Sequence, residues 1–291
     1  MSEDEDRAPV VLVFDSGVGG LTVFAQLRKA RPDVRFIYVA DDAGFPYGPM
    51  AAPVLLERVV GLMEGLVARH APDLVVIACN TAATLVLPGL RARFPLPFIG
   101  TVPAIKPAAE QSLTRAISIL ATPGTVHRDY THDLIRDFAG DCTVTLVGST
   151  RLAGYAEAEL AGMPVADERI RAEIAPAFVD HDGRRTDKVV LACTHYPLLL
   201  PRFEALAPWP VSWIDPAPAI ARRMVQLMGP AAEVPSARAA PAGLADFILT
   251  SGRPVPAPLA SALASYGLRP VADGQAHDTV ATTQAQAENI A

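Results

Sequence analysis

The chain has 291 residues, of which 51% are hydrophobic and 19% charged, with a formal net charge of -6. So apolar a chain cannot be a disordered one, and its length suffices for one large core or two medium ones. An acidic balance argues against a general nucleic-acid binder or a protein drawn to membrane surfaces, which are normally basic. The acidic leader, residues 1–7, has no basic region and only a short apolar run follows it, so it is not read as a signal peptide. A first strand is predicted over 10–14, ending at Asp15-Ser16-Gly17-Val18-Gly19-Gly20, with a helix over 21–30. The Gly-x-Gly-x-x-Gly pattern of dinucleotide loops fails at Thr22. What remains is a tight turn that sets Asp15 and Ser16 at a strand end and brings the chain close to a ligand, or a plain turn with a helix cap.

A second strand over 36–40 ends at Asp41-Asp42, and the loop Gly44-Phe45-Pro46-Tyr47-Gly48 holds its tyrosine between Pro and Gly. An amphipathic helix over 54–70 leads to a strand that ends at Cys79-Asn80-Thr81, then a helix over 82–93 and a short strand over 98–101. Strands alternating with helices indicate a parallel α/β sheet. A second half begins near 103–110. It holds a strand over 116–121 ending at Thr122-Pro123-Gly124-Thr125, a helix over 127–138, a strand over 142–147, and helices over 152–160 and 168–179. A strand ending at Cys193-Thr194-His195 follows, then a short helix, a strand end at Trp213-Ile214-Asp215, and a helix over 220–228 expected to return to the first half. Residues 229–241 read as an Ala/Pro-rich loop, 245–250 as a strand, 256–266 as a helix and the last fifteen or so as a loose tail.

The organising feature is a stretch written twice: Asp73-Leu-Val-Val-Ile-Ala-Cys79 and Asp187-Lys-Val-Val-Leu-Ala-Cys193. Each copy offers a thiol from the end of a central strand beside the next helix, where the helix dipole should lower the thiol pKa toward neutrality. Asn80, Thr81, Thr194 and His195 can bind a carboxylate. Two thiols facing one another across a cleft can handle protons on opposite faces of one carbon. Cys142 lacks such a neighbourhood and reads as packing. Three cysteines make no disulfide framework, and reduced thiols point to the cytoplasm. No Cys-x-x-Cys pair and no one-face His pair supports a metal. A cysteine hydrolase would explain one copy of the motif but not both. Of the chain's lysines, Lys29 reads as helix surface and Lys188 as the start of a strand, leaving only Lys106 as conceivable for a pyridoxal Schiff base. Proton transfer without a cofactor is the simplest chemistry.

These motifs resemble the glutamate racemases of the aspartate/glutamate racemase family. The matches are Val13-Phe14-Asp15-Ser16-Gly17-Val18-Gly19-Gly20-Leu21-Thr22, Pro46-Tyr47-Gly48, Ala78-Cys79-Asn80-Thr81-Ala82 and Ala192-Cys193-Thr194-His195-Tyr196-Pro197-Leu198. The resemblance implies an α/β fold of two Rossmann-like (flavodoxin-like) parallel-sheet domains, related by pseudo-twofold symmetry, with the active site in the cleft between them. The expected division is 1–103 with 214–291, carrying Cys79, and 104–213, carrying Cys193. It implies interconversion of L- and D-glutamate for peptidoglycan without a cofactor or metal, with no nucleic-acid or membrane partner and with a homodimer compatible. By the same resemblance, Cys79 serves D-glutamate and Cys193 L-glutamate, and Asp15 and His195 assist. Substrate is met by Asp15, Ser16, Tyr47, Gly48, Asn80, Thr81, Thr122, Thr125, Thr194 and His195. Two departures stand out: the family's Arg in its Gly-Asp-Thr-Ala-Arg-Val-Pro-Tyr-Gly loop is Gly44, and its Glu after Pro-Leu-Val is Gly148. Racemisation is expected to survive both with altered kinetics. The alternatives are a racemase for aspartate or another acidic amino acid, a one-thiol decarboxylase, or a non-catalytic protein that binds an acidic amino acid or a partner.

Overall fold

A computed structural model of the chain describes residues 7–230 and 245–272. The first six residues of the acidic leader, most of the expected Ala/Pro-rich loop and the expected tail lie outside the described residues. The first half runs β1 (Val10–Asp15), α1 (Leu21–Ala30), β2 (Arg35–Ala40), α2 (Ala52–His70), β3 (Leu74–Ile77), α3 (Asn80–Arg93) and β4 (Phe98–Gly100). The second half runs α4 (Ile105–Gln111), β5 (Ala116–Ala121), α5 (Pro123–Val126), α6 (Asp129–Phe138), β6 (Thr143–Gly148), α7 (Leu152–Leu160) and α8 (Asp167–Ile174). It continues through a small hairpin, β7 (Asp180–His181) and β8 (Arg184–Arg185), to β9 (Lys188–Ala192), α9 (Leu200–Leu206) and β10 (Ser212–Ile214). The chain then gives α10 (Ala217–Met228), β11 (Ala245–Leu249), α11 (Ala257–Ser265) and β12 (Leu268–Pro270).

Two parallel sheets result, ordered β12-β11-β2-β1-β3-β4 and β10-β9-β5-β6. The run β2-β1-β3-β4 in one corresponds to β6-β5-β9-β10 in the other, which is the pseudo-twofold relation in topological form. As expected, α10 returns to the first half and packs on α1. The strand β12 and the hairpin β7–β8 were not foreseen, and the predicted helix over 168–179 stops at Ile174, followed by a 3₁₀ turn, Ala175–Ala177. Pro176 inside that turn has no N–H to extend the α-helix.

The central strands carry almost no polar residues because both of their faces are covered. In β1, Val11 and Val13 pack with Leu21, Phe24 and Met224 on one face, while Leu12 and Phe14 pack with Leu55, Val59 and Val86 on the other. In β9, Val189 and Leu191 belong to one core and Val190 and Ala192 to the other. This is the period-two alternation of a strand buried on both sides, and each such side chain contributes about 1.5–3 kcal/mol by leaving water. The repeated aspartates tie the foot of each cysteine strand to its neighbour. Asp73 accepts the Val10 N–H at 2.7 Å, and Asp187 accepts the Ser112 hydroxyl and Leu113 N–H, each at 2.7 Å.

Candidate active site

The four central strands β1, β3, β5 and β9 end at Asp15, just before Cys79, just before Thr122 and just before Cys193. The carboxyl ends of parallel strands are where backbone leaves the ladder and side chains gather. The two sets of strand ends meet across a cleft. Thr194 donates its hydroxyl to Asp15 Oδ2 at 2.9 Å, and Thr81 Oγ1 lies 2.8 Å from Thr122 Oγ1. Thr125 Oγ1 completes a hydroxyl triangle, 3.4 Å from Thr81 and 3.3 Å from Thr122. Both cysteines are buried, Cys79 at 4% and Cys193 at 6% exposure.

The expected fall in thiol pKa does not hold for Cys79. Burial raises its pKa, the Asp15 carboxylate adds to this, and the thiol is pushed up to about 12. The start of α3 does act as foreseen, since the Ala82 N–H favours the thiolate, and so does Ser16, whose Oγ lies 3.6 Å from Cys79 Sγ; they are outweighed. At Cys193 the short helix that follows, α9, starts only at Leu200, so no α-helix N-terminus adjoins the thiol. The residues that follow form a 3₁₀ turn, Tyr196–Leu199, in which the Tyr196 hydroxyl donates to the Ala121 carbonyl at 2.9 Å. Its neighbour instead is His195, with Nδ1 3.9 Å from the sulfur and Nε2 2.8 Å from Glu157 Oε1.

Burial works against an imidazolium at His195, but hydrogen bonds to Cys193 and Glu157 outweigh it and hold His195 well above the ordinary imidazole value. Glu157 was not foreseen from the sequence. It comes from α7, whose first turn is pinned where Ser149 Oγ accepts the Leu152 N–H at 3.0 Å. The same Glu157 oxygen accepts the Val18 N–H at 2.8 Å, so it crosses to the glycine loop of the first half. A Cβ on Gly17 would collide with Glu157 and one on Gly19 with His195. Those glycines therefore admit side chains from the opposite half, where the sequence suggested close approach to a ligand. Phe45 lies beside His195 with ring centroids 5.5 Å apart.

Asp15 is fully buried. Burial raises its pKa, against the pull of His195, of the Gly17 N–H at 3.0 Å and of the Thr194 hydroxyl. Both side-chain heteroatoms of Asn80 are buried without a hydrogen-bond partner within the protein. Tyr47 is buried, but its hydroxyl donates to Asp41 Oδ2 at 2.5 Å. Gly48 packs against Thr122 and Gly124 of the other half. The structure thus links Asp15 with Thr194, Cys79 with Ser16, Cys193 with His195, and Thr81 with Thr122 and Thr125, turns the Tyr47 hydroxyl to Asp41, and adds Glu157 and Phe45. A cavity of about 510 Å³ between α2 and the β11–β12 edge contains neither cysteine in its lining. Among the described residues, no cluster of His, Cys, Asp and Glu has a metal-binding arrangement, and no helix is long and apolar enough to cross a membrane.

Residues 22–224 match the model of the Asp/Glu/hydantoin racemase family. The chain belongs to that family. It is 56% identical to a glutamate racemase of Brucella anthropi over 79% of this chain and 82% of that one. It is 55% identical to a glutamate racemase of Agrobacterium fabrum over 84% and 88%. The structure superposes on Escherichia coli glutamate racemase, solved with L-glutamate and the activator UDP-MurNAc-Ala, with a TM-score of 0.80, 38% identity and coverage of 91% and 98%. The chain is an amino-acid racemase, an isomerase.

Proposed function

We propose that this racemase interconverts L- and D-glutamate by a two-thiol mechanism, without a cofactor, and supplies D-glutamate to peptidoglycan synthesis in the cytoplasm. The observation that carries this reading is the pair of buried cysteines on equivalent strands of opposite halves, flanked by hydroxyls and one carboxylate. The described residues up to 103 together with those from 214 onward, and residues 104–213, act as the two walls of the cleft. Hydrogen bonds that now cross it, Thr194 to Asp15 among them, must open for substrate to enter.

The unlike surroundings of the thiols suit one direction of proton flow at rest. Glu157 holds a proton on His195 Nε2, leaving Nδ1 to share the Cys193 proton. Cys193 as thiolate then takes the α-proton of L-glutamate, breaking the Cα–H bond. Cys79, kept a thiol by burial and Asp15, gives its proton to the opposite face of the carbanion. The reverse reaction starts from the complementary protonation state. The orphaned Asn80 amide, the three threonine hydroxyls and the N-terminus of α3 supply donors for the substrate carboxylates, and Asp15 faces the ammonium.

The test is proton NMR of L-glutamate in heavy water with the purified protein in reducing buffer. Loss of the α-proton signal with falling optical rotation is expected. An unchanged spectrum would sink the glutamate reading, and a matched L-aspartate run separates the two acidic substrates, whose one-methylene difference is worth only about 1–3 kcal/mol in a pocket.

A further inference from the structure

Beyond the groups assigned above, the cleft rests on a buried carboxylate that no substrate-facing role explains. Asp41 directly follows β2 and has a fully buried side chain. Four donors converge on it: Arg58 Nε at 2.5 Å and Nη2 at 2.6 Å, the Tyr47 hydroxyl at 2.5 Å and the Thr250 hydroxyl at 2.5 Å. Three separate pieces of chain, α2, the loop after β2 and the end of β11, are thereby fixed to one point. Tyr47 precedes Gly48, which packs on Thr122 and whose carbonyl lies against Gly124, beside the hydroxyl triangle. Any shift of Asp41 is passed to that turn.

The Arg58 guanidinium reaches Asp41 through space that Gly44 leaves open. A Cβ built on Gly44 would fall inside van der Waals contact of Arg58 Nε, with Asp41 Oδ2 2.6 Å away. A side chain at position 44 would therefore press on both the guanidinium and the carboxylate. Arg58 can take that path because it sits one turn into α2 between Leu55 and Val59, whose burial fixes the helix against the sheet. Burial alone would raise the Asp41 pKa, but the hydrogen bonds from Arg58, Thr250 and Tyr47 hold the carboxyl below its usual range. The same donors thus favour the carboxylate form, and Arg58 gives it two of its four contacts.

We propose that Arg58 is a positioning residue of the substrate cleft: through Asp41 it holds the Tyr47–Gly48 turn in place, and Gly44 is its matched partner, kept small so that the guanidinium can enter from α2. The inference rests on the racemase reading of the same cleft. It predicts that any side chain at residue 44 displaces the Asp41 carboxylate as well as the Arg58 guanidinium.

The experiment compares wild type, R58A, R58K and G44A for kcat and KM on L-glutamate, with thermal unfolding on the same samples. R58A is expected to raise KM about 10-fold or more with a smaller change in kcat, because ground-state positioning is lost while both thiols remain. R58K keeps a charge but not the two-pronged contact and falls between R58A and wild type. G44A crowds both Arg58 and Asp41 and also raises KM. Folded R58A with a lower melting temperature but unchanged KM overturns the proposal, leaving a purely structural ion pair. Should R58A not fold, wild-type KM in R58K does the same. Wild-type KM in folded G44A overturns the pairing with Gly44. Wild type inactive on L-glutamate would instead sink the racemase reading, so the two failures are distinguishable.

Discussion

The two cysteines occupy equivalent backbone positions in very different company. Register places Phe14 beside Ile77 and Leu120 beside Leu191, so Asp15 in one half corresponds to Ala121 in the other, and Ser16 to Thr122. After the cysteines, Asn80 corresponds to Thr194 and Thr81 to His195. Around Cys79 the polar groups are hydroxyls and an amide, with Asp15 as a nearby anion. Around Cys193 an imidazole and the Glu157 carboxylate form a proton-holding pair. A duplicated fold thus delivers two cysteines from equivalent strand ends, and divergence at a few positions gives them unlike neighbours.

The largest break in this comparison is removal of either thiol. Cys79→Ser and Cys193→Ser should each lower kcat for racemisation about 10³-fold or more, in both directions. Polarimetry from each enantiomer measures this, and a variant keeping a tenth of wild-type activity would show that the thiols do not work as a pair. Glu157→Gln tests the asymmetry directly. It should lower kcat about 10–100-fold, in the range of acid–base assistance, and lower the His195 pKa as read by NMR of the imidazole Cε1 proton. The sign follows from the raised value. His195 stabilises the fold fully below its unfolded value near 6.5, and that contribution is lost as pH rises through the folded value. In Glu157→Gln the loss in melting temperature should therefore set in at a lower pH.

Thr122→Val removes one hydroxyl of the triangle and should raise KM for glutamate about 10-fold, the equivalent of about 1.4 kcal/mol. A kcat effect without a KM effect would move Thr122 from binding to chemistry. The mildest test is alkylation by iodoacetamide followed by peptide mapping. With its pKa at about 12, Cys79 should stay nearly unmodified at pH 8 and react faster only as the solution becomes strongly alkaline. Ready modification of Cys79 at pH 8 would remove the basis for calling it the resting thiol.

Much of the fold was legible because its signals are local. The apolar runs of β1, β3, β5 and β9 show their burial in composition, and the repeat of Asp-x-Val-Val-x-Ala-Cys shows that two strands share a role. Three short elements were not legible: β7 and β8 have two residues each, and β12, Leu268-Arg269-Pro270, lacks the apolar run that marks the equally short β4. Glu157 was hidden for another reason. It sits in an ordinary helix with no motif, and its partners Val18 and His195 are distant in sequence. The glycines at 17 and 19 announced a close approach without naming what approaches.

By itself, then, the sequence determined the parallel α/β architecture, the pair of cysteine strand ends and the residues clustered about them, because strand burial and duplicated motifs are written in adjacent residues. The tertiary structure alone decided what surrounds those ends. Depth of burial and the charges brought within reach come from elements far apart in sequence. For Cys79 burial and Asp15 overrode the helix N-terminus, and beside Cys193 a carboxylate from α7 meets His195.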